Sequence, residues 1–229
     1  RGACRLHGAG GDGDGTYTPA ANSLLVAFVF GRGGDELAPS SVTGHGLTYT
    51  QVGTSVPFPT NAGNLSCWVA LAGASPTDTA TTATWAVAHT GACISEVEVT
   101  GADVSGTAAQ AIVQTPTQAS GSANTLSITL AAYGASGNRA MLACGKGNTE
   151  AFSEEAAWTQ MHEVSHAVPD SMLATSANPT TQDTTATGSW TTAALRVGFA
   201  IEVKASVAAG EPVKRHIVKG QAVHRASRW

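Results

Sequence analysis

Leu65-Ser66-Cys67-Trp68-Val69-Ala70-Leu71 sets Leu65, Cys67, Val69 and Leu71 at every second position, the period of a strand with one buried face. Leu126, Ile128 and Leu130 repeat the pattern, with Ser127 and Thr129 on the opposite face. Working outward, similar runs cover 23–30, 47–52, 80–88, 93–100, 109–115, 124–133, 140–144, 158–164, 171–176, 184–192 and 195–203. Each is bounded by Gly, Pro, Asn or Ser clusters, and about a dozen short strands at this spacing predict an all-β antiparallel sandwich. Helical spacing is confined to 150–157, where a short turn or helix is expected. Leu24 to Phe30 is the longest apolar run, far short of the roughly 20 residues of a membrane helix, so no membrane partner is expected.

The halves echo one another. Asn22-Ser-Leu-Leu-Val returns as Asn124-Thr-Leu-Ser-Ile, the Thr-Ala-Thr ahead of Trp85 returns ahead of Trp190, and Glu96-Val-Glu-Val returns as Ile201-Glu-Val-Lys. Tyr49-Thr-Gln likewise matches Trp158-Thr-Gln. The order is preserved, which fits one sandwich of two similar halves or two tandem small domains; because the junction at 101–123 is short and lacks linker composition, the expectation is one sandwich over residues 21–206, flanked by a glycine-rich N-terminal arm (1–20) and a basic C-terminal arm (207–229).

Leu, Ile, Val and Phe total only 41 of 229 residues, a fraction usual for disordered chains, but those also carry high net charge. Here the charge is −4 with 12% charged residues, and a folded β protein with a thin core is expected. The charge is unevenly spread: residues 6–203 carry a net −11 and residues 204–229 a net +5. A basic tail on an acidic body suggests a grip on something negative, with an acidic protein surface on a neighbouring copy preferred over nucleic acid and a solvated terminus as the alternative. Lys214, Arg215, Lys219, Arg225 and Arg228 are the candidate contact cations. Trp229, which belongs to no strand, is the candidate anchor for a pocket on another subunit.

The sharpest catalytic motif is His162-Glu163-Val164-Ser165-His166. On a helix, histidines at i and i+4 share a face and bind zinc together, leaving the glutamate as general base. Pro169 lies three residues beyond His166 and no third ligand follows in helical spacing, so the motif is expected on a strand and the turn leaving it, with a zinc metallopeptidase through His162 and His166 as the weakest alternative. No other motif calls for a cofactor, and no enzyme is expected. The GxGxxG match at 8–13 precedes every expected strand, and Asp12-Gly-Asp-Gly lacks the rest of a calcium loop. Cys4, Cys67, Cys93 and Cys144 show no CxxC spacing, and thiols are expected ahead of disulfides. Trp68, Trp85, Trp158 and Trp190 each sit in a strand-like run; core volume is the expectation, with a sugar-stacking platform as the alternative.

The succession NSLLVAFVF from Asn22, SVTGHGLTYT from Ser41, CWVALAGASP from Cys67, TATW from Thr82 and ISEVEVTGAD from Ile94 resembles jelly-roll-like β-sandwich virion proteins of tailed phages and related bacterial surface proteins. The resemblance covers about residues 20–204 and carries no catalytic signature. It implies a structural role in a virion, as capsid decoration or a tail-associated component, contacting copies of itself and other virion proteins through extended arms. An extracellular carbohydrate-binding or adhesion module at a cell surface is the alternative.

Overall fold

The computed structural model describes residues 4–8, 17–58, 63–167, 170–178 and 181–206. The first half supplies β1 (Cys4–Gly8), β2 (Leu24–Arg32), β3 (Ser41–Gly44), β4 (Leu47–Thr48), β5 (Thr50–Phe58), β6 (Gly63–Leu71), β7 (Thr82–Thr84) and β8 (Gly91–Val99). After a single 3-10 turn at Ala108–Ala111, the second half supplies β9 (Ile112–Gln114), β10 (Thr117–Thr129), β11 (Arg139–Lys146), β12 (Ser153–Glu154), β13 (Thr159–Ala167), β14 (Asp170–Asn178) and β15 (Thr185–Val203). Pairing is antiparallel throughout.

Each half builds its own sheet. One has the order β1-β8-β2-β6-β5 and the other β10-β15-β11-β14-β13, so β8-β2-β6-β5 and β15-β11-β14-β13 are the same winding used twice. Register repeats too: Thr50 opposes Val69 in the first sheet, and Thr159 opposes Ala177 in the second. The sandwich of two similar halves is therefore present, with one sheet from each. One echo is corrected. The counterpart of β2 is β11, not the strand at Asn124, which belongs to the added edge strand β10.

Leu24, Val26, Phe28 and Phe30 of β2 meet Met141, Ala143, Phe199 and Ile201 between the sheets, with Phe28 and Phe199 ring centroids 6.3 Å apart. Both outer faces are covered as well. Leu25, Ala27 and Val29 lie under a small sheet of β4-β3-β7 with Val42, Tyr49 and Trp68. Leu142, Cys144 and Ala200 lie under Leu126, Ile128, Phe152, Trp158 and Trp190. A strand covered on both faces must be apolar at every position, which is why Leu24 to Phe30 runs without alternation and is wholly buried.

Four local expectations are revised. The runs 184–192 and 195–203 are one strand, β15, which curls so that its first part covers the outer face of its own sheet; Gly198 permits this, because a Cβ there would stand 2.6 Å from Leu126 Cδ1. The segment 150–157 forms strand β12 and a turn rather than a helix. The segment 109–115 is mostly the 3-10 turn and short β9. The N-terminal arm expected over 1–20 contains a strand: β1 pairs with β8, Gly8 opposite Cys93, so the glycine-rich motif does not precede every strand. Tyr17 and Ala20 also belong to the body, through Glu96 and Glu98. Residues 207–229, with Lys214, Arg215, Lys219, Arg225, Arg228 and Trp229, lie outside the described residues.

Candidate functional site

Inward and outward positions alternate along β8. Cys93 and Val97 face the other sheet, so Glu96 and Glu98 face the covering layer. Glu96 is 2% exposed. Its Oε1 accepts from Tyr17 Oη at 2.7 Å and His45 Nε2 at 2.9 Å, and its Oε2 from Tyr49 Oη at 2.8 Å and from Thr81 Oγ1. His45, in the left-handed region at φ 56°, places Nδ1 3.2 Å from Thr77 O. Both imidazole nitrogens thus face acceptors, an arrangement satisfied by the doubly protonated ring. Burial opposes the charged forms, but mutual hydrogen bonding outweighs it: His45 is raised above the usual imidazole value and Glu96 is lowered. Burial and the neighbouring Glu96 carboxylate push the Tyr49 phenol up.

This cluster has a glutamate, a histidine and two hydroxyl types, but the hydroxyls donate to the carboxylate rather than to the imidazole, so no nucleophile–base pair is formed. Thr81, His45 and Tyr49 come from the covering layer and its connections, and their hydrogen bonds to Glu96 tie them to the central sheet. Sequence reading did not single it out. The available signal was Glu96 itself, a carboxylate within the otherwise strand-forming run Ile94 to Val99.

Glu202 is the analogous acid of the second sheet. Fully buried, it accepts from Gln114 Nε2 at 2.5 Å, Asn138 Nδ2 at 2.6 Å and Gly134 N at 2.9 Å. The cations of the body are committed as well. Arg32 lies buried with its guanidinium 4.5 Å over the Phe58 ring. Lys146 is buried and donates to Asn148 Oδ1 at 2.8 Å and to Glu150 O; burial lowers both groups. Arg139 donates to Ser136 O and Asn138 O, Arg196 to Thr125 O and Ala119 O, and Lys204 pairs with Asp103 at 2.7 Å. Those five Lys and Arg face thirteen carboxylates within residues 17–206.

The His162–His166 motif lies on β13, as its Pro169 boundary implied. Four residues along a strand span about 13 Å, whereas two ligands of one zinc ion sit within about 4 Å of each other. Glu163 turns to the opposite face and accepts from the Phe152 backbone N–H. His166 packs against Gly91, and burial lowers His162. The zincin geometry is therefore replaced by strand geometry, and no group of three or more His, Cys, Asp or Glu suited to a metal occurs among the described residues. Trp68, Trp158 and Trp190 are 5–6% exposed core residues, and Trp85 packs on His89 with centroids 4.8 Å apart. Cys67, Cys93 and Cys144 are buried thiols.

The sandwich opens at one end. Between β8, β11, β13 and β14 lies a groove of about 330 Å³ floored by Val97, Val99, Met141, Met161, Ala177 and Val203, with Glu98 and Arg139 on its lining. The last described residues lie beside it: Ala205 bridges Ala102, and Ser206 N donates to Gly101 O at 2.8 Å. No protein-family model, curated protein or solved structure matches this chain.

Proposed function

We propose that this chain is a structural subunit of a virion, a capsid-decorating or tail-associated protein, whose rigid sandwich is joined to neighbouring copies by its basic C-terminal arm. The supporting observation is the division of charge. Every Lys and Arg of residues 17–206 is buried or bonded within the body, which leaves an acidic surface. Residues 207–229 carry Lys214, Arg215, Lys219, Arg225 and Arg228 against Glu211 alone. Such a body repels its own kind at long range and attracts the arm.

The covered outer faces fit this role, because a sandwich buried on three levels is stiff and presents few large apolar groups; Leu37, Val87 and Val113 are the exposed ones among the described residues. Carbohydrate binding through stacked tryptophans has no comparable support, since Trp68, Trp158 and Trp190 fill the core. The test is deletion of 207–229 followed by electron microscopy of the assembled material. Loss of assembly is expected; unchanged particles overturn the reading.

A further inference from the structure

Strand alternation assigns the faces of the groove at the open end. Val97 and Val99 of β8, Met141 of β11, Met161 of β13, Ala177 of β14 and Val203 of β15 turn into the space between the sheets. Glu98, between Val97 and Val99, turns to the other face of β8, where it accepts from Ala20 N at 2.8 Å, so its carboxylate is not in the groove. Arg139 stands two residues before Met141 on β11, on the same face, opposite Val203. Among the described residues of the lining it is the charged side chain that alternation leaves at the groove. Its Nη1 donates to Ser136 O at 3.2 Å and to Asn138 O at 2.7 Å. Carbonyls orient a guanidinium without cancelling its charge, whereas the Lys204 ammonium is met by Asp103 Oδ2 at 2.7 Å.

We propose that this groove binds a straight-chain carboxylic acid of medium length, with its methylenes on Val99, Met141, Met161 and Val203 and its carboxylate at Arg139. The site goes beyond the structural-subunit reading and does not depend on it. Val99, Met161 and Ala177 are only partly buried against the core, so apolar surface is left for a chain of methylenes to cover. The two thioethers adapt to a flexible chain, because their side chains are unbranched and polarizable. At about 330 Å³ the groove lies at the small end of ligand sites, which run from about 300 to 1,000 Å³, and this limits the length of the chain. A carboxylate in place of a neutral head group meets the Arg139 charge at the edge of an apolar surface, where the pairing is stronger than in bulk water. The wall also selects against a peptide. β8, β11 and β14 each pair with a strand on both sides, so these strands offer side chains and no main-chain partner, and the amides of a peptide would lose water without replacement. A hydrocarbon chain has no such groups to satisfy.

The experiment titrates decanoate, 1-decanol and decyltrimethylammonium, each below its micelle-forming concentration, into the full chain carrying ¹³C at its three methionine methyl groups, Met141, Met161 and Met172. Met172 lies five residues along β14 from Ala177, about 17 Å away, and serves as the internal reference. Saturable shifts of Met141 and Met161 with Met172 unmoved are expected for decanoate, at an affinity several-fold above decanol and further above the cation. Arg139→Gln is expected to weaken decanoate about tenfold, the loss of a charge-assisted hydrogen bond, while decanol binding stays unchanged and shows the groove intact. Arg139→Lys is expected to keep most of the preference for decanoate. No shift, shifts at Met172 as large as at the other two, equal affinity for decanoate and decanol, or an Arg139→Gln chain that binds decanoate like wild type overturns the proposal. If Arg139→Gln loses both probes, Arg139→Lys decides: a retained preference for decanoate supports the site, and its absence overturns it. Assembly of the chain lacking 207–229 bears on the structural-subunit reading alone, so the two fail separately.

Discussion

Replacing Glu96 with alanine tests what holds the covering layer to the first sheet. The carboxylate takes four donors, Tyr17 and His45 on Oε1 and Tyr49 and Thr81 on Oε2. Its removal strands a histidine that is 1% exposed and three hydroxyls at once. Breaking a buried ion pair by deleting one partner costs about 3–5 kcal/mol. With a urea m-value of about 3 kcal/mol/M for a chain of this size, the unfolding midpoint falls by about 1–1.7 M. Glu96→Gln keeps the shape: its oxygen can accept from His45 and Tyr17, and its amide can donate to the Tyr49 and Thr81 oxygens. That variant loses only the counter-charge and falls between wild type and Glu96→Ala. A midpoint for Glu96→Ala within about 0.2 M of wild type would refute the reasoning.

The same pair sets a pH window. Raised His45 stabilises the fold fully below the ordinary imidazole value of 6.5 and loses its contribution as pH climbs through the raised folded value. Lowered Glu96 contributes above 4.5 and is lost as pH falls through its depressed value. Urea midpoints measured from pH 4 to 9 should therefore show a plateau between about 5 and 6.5, and Glu96→Gln should flatten the alkaline decline. Burial pushes Cys93 and Cys144 up to about 12 and also raises Cys67, so these thiols should ignore a thiol-specific reagent at pH 8 and react after denaturation. Gly198→Val must push into Leu126 and Ile128, and a loss of about 1–3 kcal/mol is expected by calorimetry. Dialysis against zinc should leave no stoichiometric metal, and His162→Gln should not change the metal content.

Fold class was legible because strand alternation is local: Leu65 to Leu71 and Leu126 to Leu130 state their faces without knowledge of their neighbours. The repeat was legible where side chains occupy equivalent sites, as with Tyr49 and Trp158, each buried beneath an outer layer just before its strand. It misled at Asn124, since β10 has the same turn-then-apolar chemistry as β2 but an edge position, and position in a sheet is set by distant partners. Cys4–Gly8 was read as arm because glycine content speaks for the unfolded chain, whereas β8 offers an edge that only tertiary structure reveals. The Glu96 cluster was hidden for the same reason: its partners lie 15 to 79 residues away.

The native mass of the full chain, followed from low to high salt beside a chain lacking 207–229, tests the central claim most directly. Multimers at low salt that dissociate as salt rises, with the shortened chain monomeric throughout, are predicted. The same multimer with and without the tail, or a monomer under every condition, would contradict it.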